Sequence, residues 1–327
     1  MRFSRRRFLH LAGLAALPAV SSAALAQAYP SRPIRLVVPF PPGGAFDTLG
    51  RPLAERLKQV LGTVVVENIG GGGSSLGASQ VAHAAPDGYT VLLGGTLPHV
   101  NEALLKSHPL YDPVKDLDPV ANVASNTIGI AVHPSVPAKT LAELVAYAKA
   151  NPGKLSYGHV GIGSTNHLAG EMLKSLTGID IVQVPYRGAG PATADLLAGQ
   201  IPMGMIAVTG QGVELHRSGK IRILAVTSRK RLAAAPELPT ATEAGVPGLI
   251  VVNDLGLLVP AHTPKEVIDR LAQAVHAAMM DQAFVKLLVS SGFEPDLDST
   301  PDKFRRSLEE DIAHWTPIVQ GLGLKID

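Results

Sequence analysis

Ser164 is the residue that most resembles a nucleophile, standing behind two glycines in Gly161-Ile162-Gly163-Ser164-Thr165. A hydrolase elbow needs Gly-x-Ser-x-Gly, which strains the turn and lifts the hydroxyl clear, and this stretch does not have that order. The metal motif His-Glu-x-x-His is absent, and the 11 histidines are scattered. The 327 residues include no cysteine, so thiolate catalysis, disulfides and Cys-ligated metals are excluded. A dinucleotide fingerprint fails as well, because Asn166 stands where the third glycine belongs. No Gly-Lys-Ser or Gly-Lys-Thr follows any glycine turn, so there is no phosphate loop. The residues name no catalytic group, no cofactor and no metal.

What remains is a chemistry of backbone. Val37 to Asp47 reads VVPFPPGGAFD: a buried strand, two prolines, two glycines, then an amphipathic helix. A second such passage runs through Tyr157-Gly158-His159-Val160 and the Gly161 turn into a helix from Leu168 to Leu176. A helix N-terminus carries unsatisfied N–H donors and partial positive charge. A glycine loop leading into it lets an anion approach the backbone closely. Pro41 and Pro42 would restrict the first loop and lower its ordering cost on binding. Either loop by itself also reads as an ordinary turn. Asp47 reads as a support of the first helix N-terminus or as a contact to a ligand donor, with Arg51 one turn on as its partner. His167 reads as an orienter of the second loop or as a ligand contact. Asn68 and Ile69 lead into Gly70 to Gly73, a third cradle or a connector.

Short β-branched runs bounded by Gly or Pro predict the strands that position these turns: Ile34 to Phe40, Val64 to Glu67, Thr90 to Leu93, Ile128 to His133, Leu155 to Tyr157, Ile181 to Val184, Met203 to Val208, Ile221 to Thr227 and Val251 to Val259. Helical patterns lie between them. Thr140 with Glu143, and Thr263 with Glu266, read as capping boxes, and Thr300-Pro301 opens the last long helix. Strand–helix alternation implies an α/β fold with a mostly parallel sheet. In open α/β sheets the turns after the strand carboxyl ends are where ligands bind.

Composition agrees with an ordinary folded chain, 46% hydrophobic and 17% charged, long enough for two domains. The first 28 residues are different. Ser4-Arg5-Arg6-Arg7-Phe8-Leu9 resembles a twin-arginine signal, an apolar run follows, and Ala24-Leu25-Ala26-Gln27-Ala28 offers cleavage after Ala26 or Ala28. That segment holds four of 29 basic residues and none of 27 acidic ones, so the remainder carries 25 against 27, or −2. No nucleic-acid or membrane footprint remains. Absence of cysteine also suits an oxidising compartment.

Taken together the motifs resemble the substrate-binding proteins of tripartite tricarboxylate transporters, the Bug-type receptors. The resemblance rests on Tyr29-Pro30-Ser31-Arg32-Pro33, Val38-Pro39-Phe40-Pro41-Pro42-Gly43-Gly44 with Asp47 and Arg51, and Val65-Val66-Glu67-Asn68. It continues in Pro86-Asp87-Gly88-Tyr89-Thr90, Gly161-x-Gly163-Ser164 with His167, Val184-Pro185-Tyr186-Arg187-Gly188 and Leu224-Ala225-Val226-Thr227. It implies a periplasmic receptor of the Venus-flytrap kind, not an enzyme, that binds a small carboxylate and hands it to a membrane permease. A ligand-sensing receptor for a signalling partner is the alternative, with an exported α/β enzyme behind it. The expected organisation is an export signal over 1–28, a first domain from 29–126 plus 251–327, and a second from 127–250, as a monomer.

The expected ligand contacts fall in three turns. The first supplies Phe40, Gly43, Gly44, Ala45, Phe46 and Asp47. The second supplies Gly161, Gly163, Ser164, Thr165 and His167. The third supplies Arg187, Gly188 and Ala189, with Arg187 as the side-chain rival to a backbone grip. Gly163→Val is expected to weaken binding without moving the melting point. Ile69, where the family usually has arginine, and His159, where serine is common, depart from the pattern.

Overall fold

The computed structural model describes residues 29–325, apart from the side chains of Leu97, Pro98 and Asn101; the export signal expected over 1–28 lies outside the described residues. From Arg32 onward the chain forms one compact unit. The order is β1 (Ile34–Val38), α1 (Ala45–Leu61), β2 (Val64–Asn68), α2 (Ser75–Ala82), β3 (Thr90–Gly95), α3 (Thr96–Val100) and β4 (Leu117–Val132). Then come α4 (Leu141–Ala150), β5 (Leu155–His159), α5 (Thr165–Thr177), β6 (Ile181–Pro185), α6 (Ala189–Leu197), β7 (Met203–Ala207), α7 (Gly210–Arg217) and β8 (Arg222–Val226). The chain closes with β9 (Val252–Pro260), α8 (Lys265–Met279), α9 (Gln282–Ser290), β10 (Glu294–Pro295) and α10 (Pro301–Leu322).

Strand order β2-β1-β3-β9-β4-β7-β5-β6 puts parallel strands at both flanks and antiparallel ones in the middle. The flanks are built of strand–helix–strand units, whose crossovers enforce parallel pairing. The middle is made by β4, a 16-residue strand. From Leu117 to Thr127 it pairs with β9; from Ile128 to Val132 it pairs with β7 and β8. Sequence periodicity finds only that second part. Asp118, Pro119, Asn122, Ser125 and Asn126 interrupt the apolar run of the first, and the register shifts twice against β9, between Pro119 and Ala121 and between Asn122 and Ala124.

Local sequence accounts for the helices that carry the site. Phe46, Leu49, Leu53, Leu57 and Leu61 form the buried stripe of α1, which packs on β2 and α8. Gly62, at φ 72, ends it, since only glycine takes that backbone cheaply. The Thr140 cap forms: the Glu143 N–H donates to Thr140 Oγ1 at 3.2 Å, while Glu143 Oε2 accepts from Lys139 N–H, one residue before the N-cap, at 2.6 Å. The Thr263 box does not form. Pro264 is the N-cap of α8, and the Thr263 hydroxyl donates to Pro260 O at 2.7 Å. A hydroxyl committed to the preceding strand end cannot reach a helix N–H.

The last helix joins two cores. Phe304 and Leu308 pack with Val37, Leu92 and Leu258, whereas Trp315 and Val319 pack with Ile130, Leu144 and Leu173. Trp315 is 2% exposed, and truncating a buried aromatic of that kind costs about 3–5 kcal/mol.

Candidate functional site

After β1 the chain turns through Pro41-Pro42-Gly43-Gly44 into α1. Gly43 is at φ 90, a conformation that favours glycine; Gly44, at φ −89, is not. Gly44 is the N-cap of α1 and supplies no side-chain acceptor. The first N–H groups of the helix therefore have neither an intrahelical partner nor a cap. Asp47 does not use them. Its Oδ2 accepts from Gly43 N–H at 3.0 Å and from Arg51 Nε at 3.0 Å, and its Oδ1 accepts from Asn68 Nδ2 at 3.0 Å. Asn68 Nδ2 also donates to Phe40 O at 3.0 Å. Burial pushes the Asp47 carboxyl up, but the bonds from Arg51, Gly43 and Asn68 more than offset this and hold it below the usual carboxylate range. The network clamps the loop from behind and leaves the helix end open in front. Asp47→Ala should cost about 1–3 kcal/mol, the typical penalty for orphaning bonded partners, and denaturant unfolding measures it.

The second loop satisfies itself. Gly161 and Gly163 are at φ 139 and 82. The Ser164 hydroxyl donates to Gly161 O at 2.6 Å and accepts from His167 N–H at 3.2 Å, so it caps α5. Gly163 N–H donates to His167 Nδ1 at 3.3 Å, which requires that nitrogen unprotonated. Burial first, then the neighbouring His159, pushes His167 down to about 4. The two imidazole rings lie 4.7 Å apart, and His159 Nε2 is 2.8 Å from Gln183 Oε1. His167 therefore holds the loop. A valine at Gly163 would meet a positive φ and disturb this bond, so its melting point should fall too, contrary to the sequence expectation.

The third turn gives a second bare helix end. Gly188, at φ 110, is the N-cap of α6 with no side-chain bond. It meets the first turn: a Cβ built on Gly188 would lie 3.4 Å from Pro41 Cγ, and one built on Gly44 would lie 3.8 Å from Ala189 Cβ. Between the turns a cavity of about 40 Å³ is lined by Phe40, Gly44, Ala45 and Phe46 from one side and Thr165, Asn166, Gly188 and Ala189 from the other. Phe40 and Phe46, with ring centroids 4.9 Å apart, form its apolar wall. Gly43 borders an adjoining cavity of about 280 Å³ that shares Gly44, Ala45, Val160, Ala189 and Ala207.

Eight of the residues singled out from sequence thus line these cavities, Phe40, Gly43, Gly44, Ala45, Phe46, Thr165, Gly188 and Ala189, and Asp47 stands behind them through its bond to Gly43. Gly161, Gly163, Ser164 and His167 build the second loop without lining either cavity, and Arg187 is exposed outside both. Sequence reasoning missed Asn126, Asn253 and Asn166. The first two are buried amides inside apolar strands, and that incongruity was the available signal. Asn166 Nδ2 donates to Met205 O at 2.8 Å, tying α5 to β7. Ile69 and His159, which depart from the family pattern, are both structural: Ile69 packs on the Val37 core and His159 on the second loop.

A larger cavity, about 720 Å³, borders another stretch of β4. Its walls carry five carboxylates, Asp254, Glu294, Asp296, Asp298 and Asp311, against Arg229 and Lys230. Such walls oppose an anion, so size does not make it the better site for one. No group of three or more His, Cys, Asp or Glu placed to hold a metal occurs among the described residues.

The tripartite tricarboxylate transporter family receptor model matches residues 49–324. Protein BugT of Bordetella pertussis is 34% identical over 304 residues, 92% of each chain. A solved periplasmic transporter is 39% identical, with TM-score 0.87 over 92% of this chain and 100% of its own. The R. palustris protein Rpa4515, solved with adipate, is 34% identical, with TM-score 0.86 over 91% of this chain and 99% of its own. Both structures share the mixed α/β fold described above, and the chain belongs to the tripartite tricarboxylate transporter receptor family, a family of solute-binding proteins rather than enzymes.

Proposed function

We propose that this protein is a periplasmic receptor that holds a small carboxylate between the turn after β1 and the turn before α6, and passes it to the membrane permease of a tripartite transporter. The observation that carries the reading is the meeting of two uncapped helix N-termini, α1 and α6, across a cavity with no charged wall. Each end offers bare N–H donors and about half a unit of positive charge, and an anion between them completes both. The relative solved with adipate agrees with a carboxylate as that anion. The export signal read in residues 1–28 would deliver the chain to the periplasm.

Two domains would close on the ligand about a hinge where β4 changes partners, near Asn126, and where the chain returns, near Ile250. At that point Thr127 Oγ1 and Thr227 Oγ1 lie 2.9 Å apart, and both hydroxyls are within bonding distance of Val251 O. Native mass spectrometry of the protein purified from the periplasm should show a bound organic acid, and titrating that acid into stripped protein should raise its melting point. Arg187→Ala should change affinity by less than about fivefold, since an exposed cation contributes at most about 1 kcal/mol. Loss of binding in Arg187→Ala would replace the backbone grip with a side-chain one.

A further inference from the structure

Successive residues of β9 face opposite sides of the sheet. Val252 and Asp254 line the 720 Å³ cavity, and Asn253 between them lines the 40 Å³ cavity at the bare ends of α1 and α6. Asn253 stands opposite Asn126 in the β4–β9 ladder and is 3% exposed. Its Nδ2 donates to Asn126 Oδ1 at 3.3 Å, which leaves Oδ1 as the free end of the amide; no group among the described residues partners that oxygen. A buried acceptor without a donor destabilises the fold, and each such group calls for a partner from outside the chain. In a ligand cavity that partner is a donor on the ligand.

Chemistry and space together limit what that donor is. An ionised carboxylate only accepts, so the anion held by the helix ends cannot pair with the Asn253 oxygen. One water-sized group needs about 10–15 Å³, so a cavity of about 40 Å³ takes about three of them. Two are the carboxylate oxygens, and the third is the donor. It is therefore attached to the carbon next to the carboxylate, while the rest of the ligand runs into the adjoining 280 Å³ cavity. An ammonium and a hydroxyl are the donors that organic acids carry at that carbon. The positive helix ends that attract the carboxylate repel an ammonium. No Asp or Glu lines either cavity to offset this. A hydroxyl is neutral and donates one bond, which is what the Asn253 oxygen lacks.

We propose that Asn253 is a specificity-determining residue that accepts a hydrogen bond from the ligand, and that the ligand class is 2-hydroxy carboxylates. The proposal rests on the carboxylate reading above and names the substrate class of that same site. It holds for mono- and dicarboxylates alike, because the bond lies at the end of the ligand held between the helix termini. The discrimination comes from the acceptor: an acid without the hydroxyl leaves the Asn253 oxygen buried and unpaired, and a site with an unpaired polar group rejects such an analogue.

Calorimetry at pH 7.5 on the ligand-stripped protein purified from the periplasm tests this with pairs of acids that differ by one hydroxyl: lactate and propanoate, malate and succinate, 2-hydroxyadipate and adipate, each chiral acid as both enantiomers. In every pair that binds, one enantiomer of the hydroxy acid should bind at least about tenfold more tightly than its partner, a difference of about 1.4 kcal/mol. Asn253→Leu, which keeps the shape of the side chain and removes the acceptor, should bring the two members of the pair within about twofold of each other. Asn253→Ala is the second variant and should do the same. The ratio within a pair is the readout, so a general loss of affinity does not imitate the effect. Equal affinity within the wild-type pairs, a preference that persists in both variants, or tighter binding of aspartate than of malate overturns the 2-hydroxy proposal while the carboxylate site stands. Silence from all six acids and from citrate overturns the carboxylate reading itself.

Discussion

Gly44→Val should reduce carboxylate affinity by at least about 100-fold, or roughly 2.7 kcal/mol, in a protein that remains folded. The separation of the two effects follows from the backbone. Gly44 sits at φ −89 and ψ −179, an extended conformation open to any residue, so valine meets no strain there. A Cβ on Gly44 would lie in ordinary contact with Ala189 Cβ, 3.8 Å away. The two γ-methyls beyond it then occupy the space between the bare ends of α1 and α6. They block approach to the N–H groups and hold the turns apart. The folded state loses only the difference between glycine and valine at an N-cap, on the order of 1 kcal/mol, which for a chain of this size lowers the melting point by about 1–2 °C. Calorimetry and thermal unfolding on the same preparation give both numbers. Affinity close to wild type would mean that the ligand does not sit between these helix ends.

Asp311→Asn should stabilise the protein at pH 8 by about 2–4 kcal/mol, and by almost nothing at pH 4. Asp311, on α10, borders the 720 Å³ cavity. Burial is the main cause that pushes its carboxyl from 3.8 up to about 7; Asp254 and Glu310 add to it, while the bond from the Thr96 hydroxyl opposes it. Asp254 is itself raised by burial and accepts from Ser307 Oγ at 2.7 Å. Arg229, Lys230 and His314 line the same cavity, but none is ion-paired to Asp311. The sign follows from proton counting. Between pH 3.8 and about 7 the folded chain holds a proton on Asp311 that the unfolded chain has released, so raising the pH through this window destabilises the fold. Above about pH 7 both states are ionised and the full penalty is present. Asparagine keeps an acceptor for Thr96 and removes the charge, so its benefit should appear as pH rises through the window. His167 and His99, both lowered to about 4, act in the opposite sense, losing stability as pH falls from 6.5 towards 4. They are common to both proteins, so the difference in melting point between Asp311→Asn and wild type isolates the carboxyl. A benefit that is constant from pH 4 to pH 8 would show that Asp311 does not titrate in this range.

Much of this protein is written locally. The absence of cysteine, of a nucleophile elbow and of a metal motif removed most catalytic classes before any fold was known. The passage from Val37 to Asp47 specifies a strand, a tight turn and a helix start because each residue type allows little else: β-branched residues extend, proline restricts φ, and only glycine takes φ 90 cheaply. Thr140 with Glu143 specifies its helix start for the same reason, since donor and acceptor lie within one turn. What the tertiary structure decided depends on residues far apart in sequence. Thr263 looks like the same box, yet its hydroxyl turns to Pro260. Asp47 and Asn68, 21 residues apart, close one network only because β1 and β2 pair in register. Pro41 meets Gly188 only once the chain has crossed at β4, whose first half carries too many polar residues to be read as a strand. Local sequence could show that Gly44 and Gly188 lead into helices with nothing to cap them. It could not show that the two bare ends face each other, because that juxtaposition is made by the sheet between them.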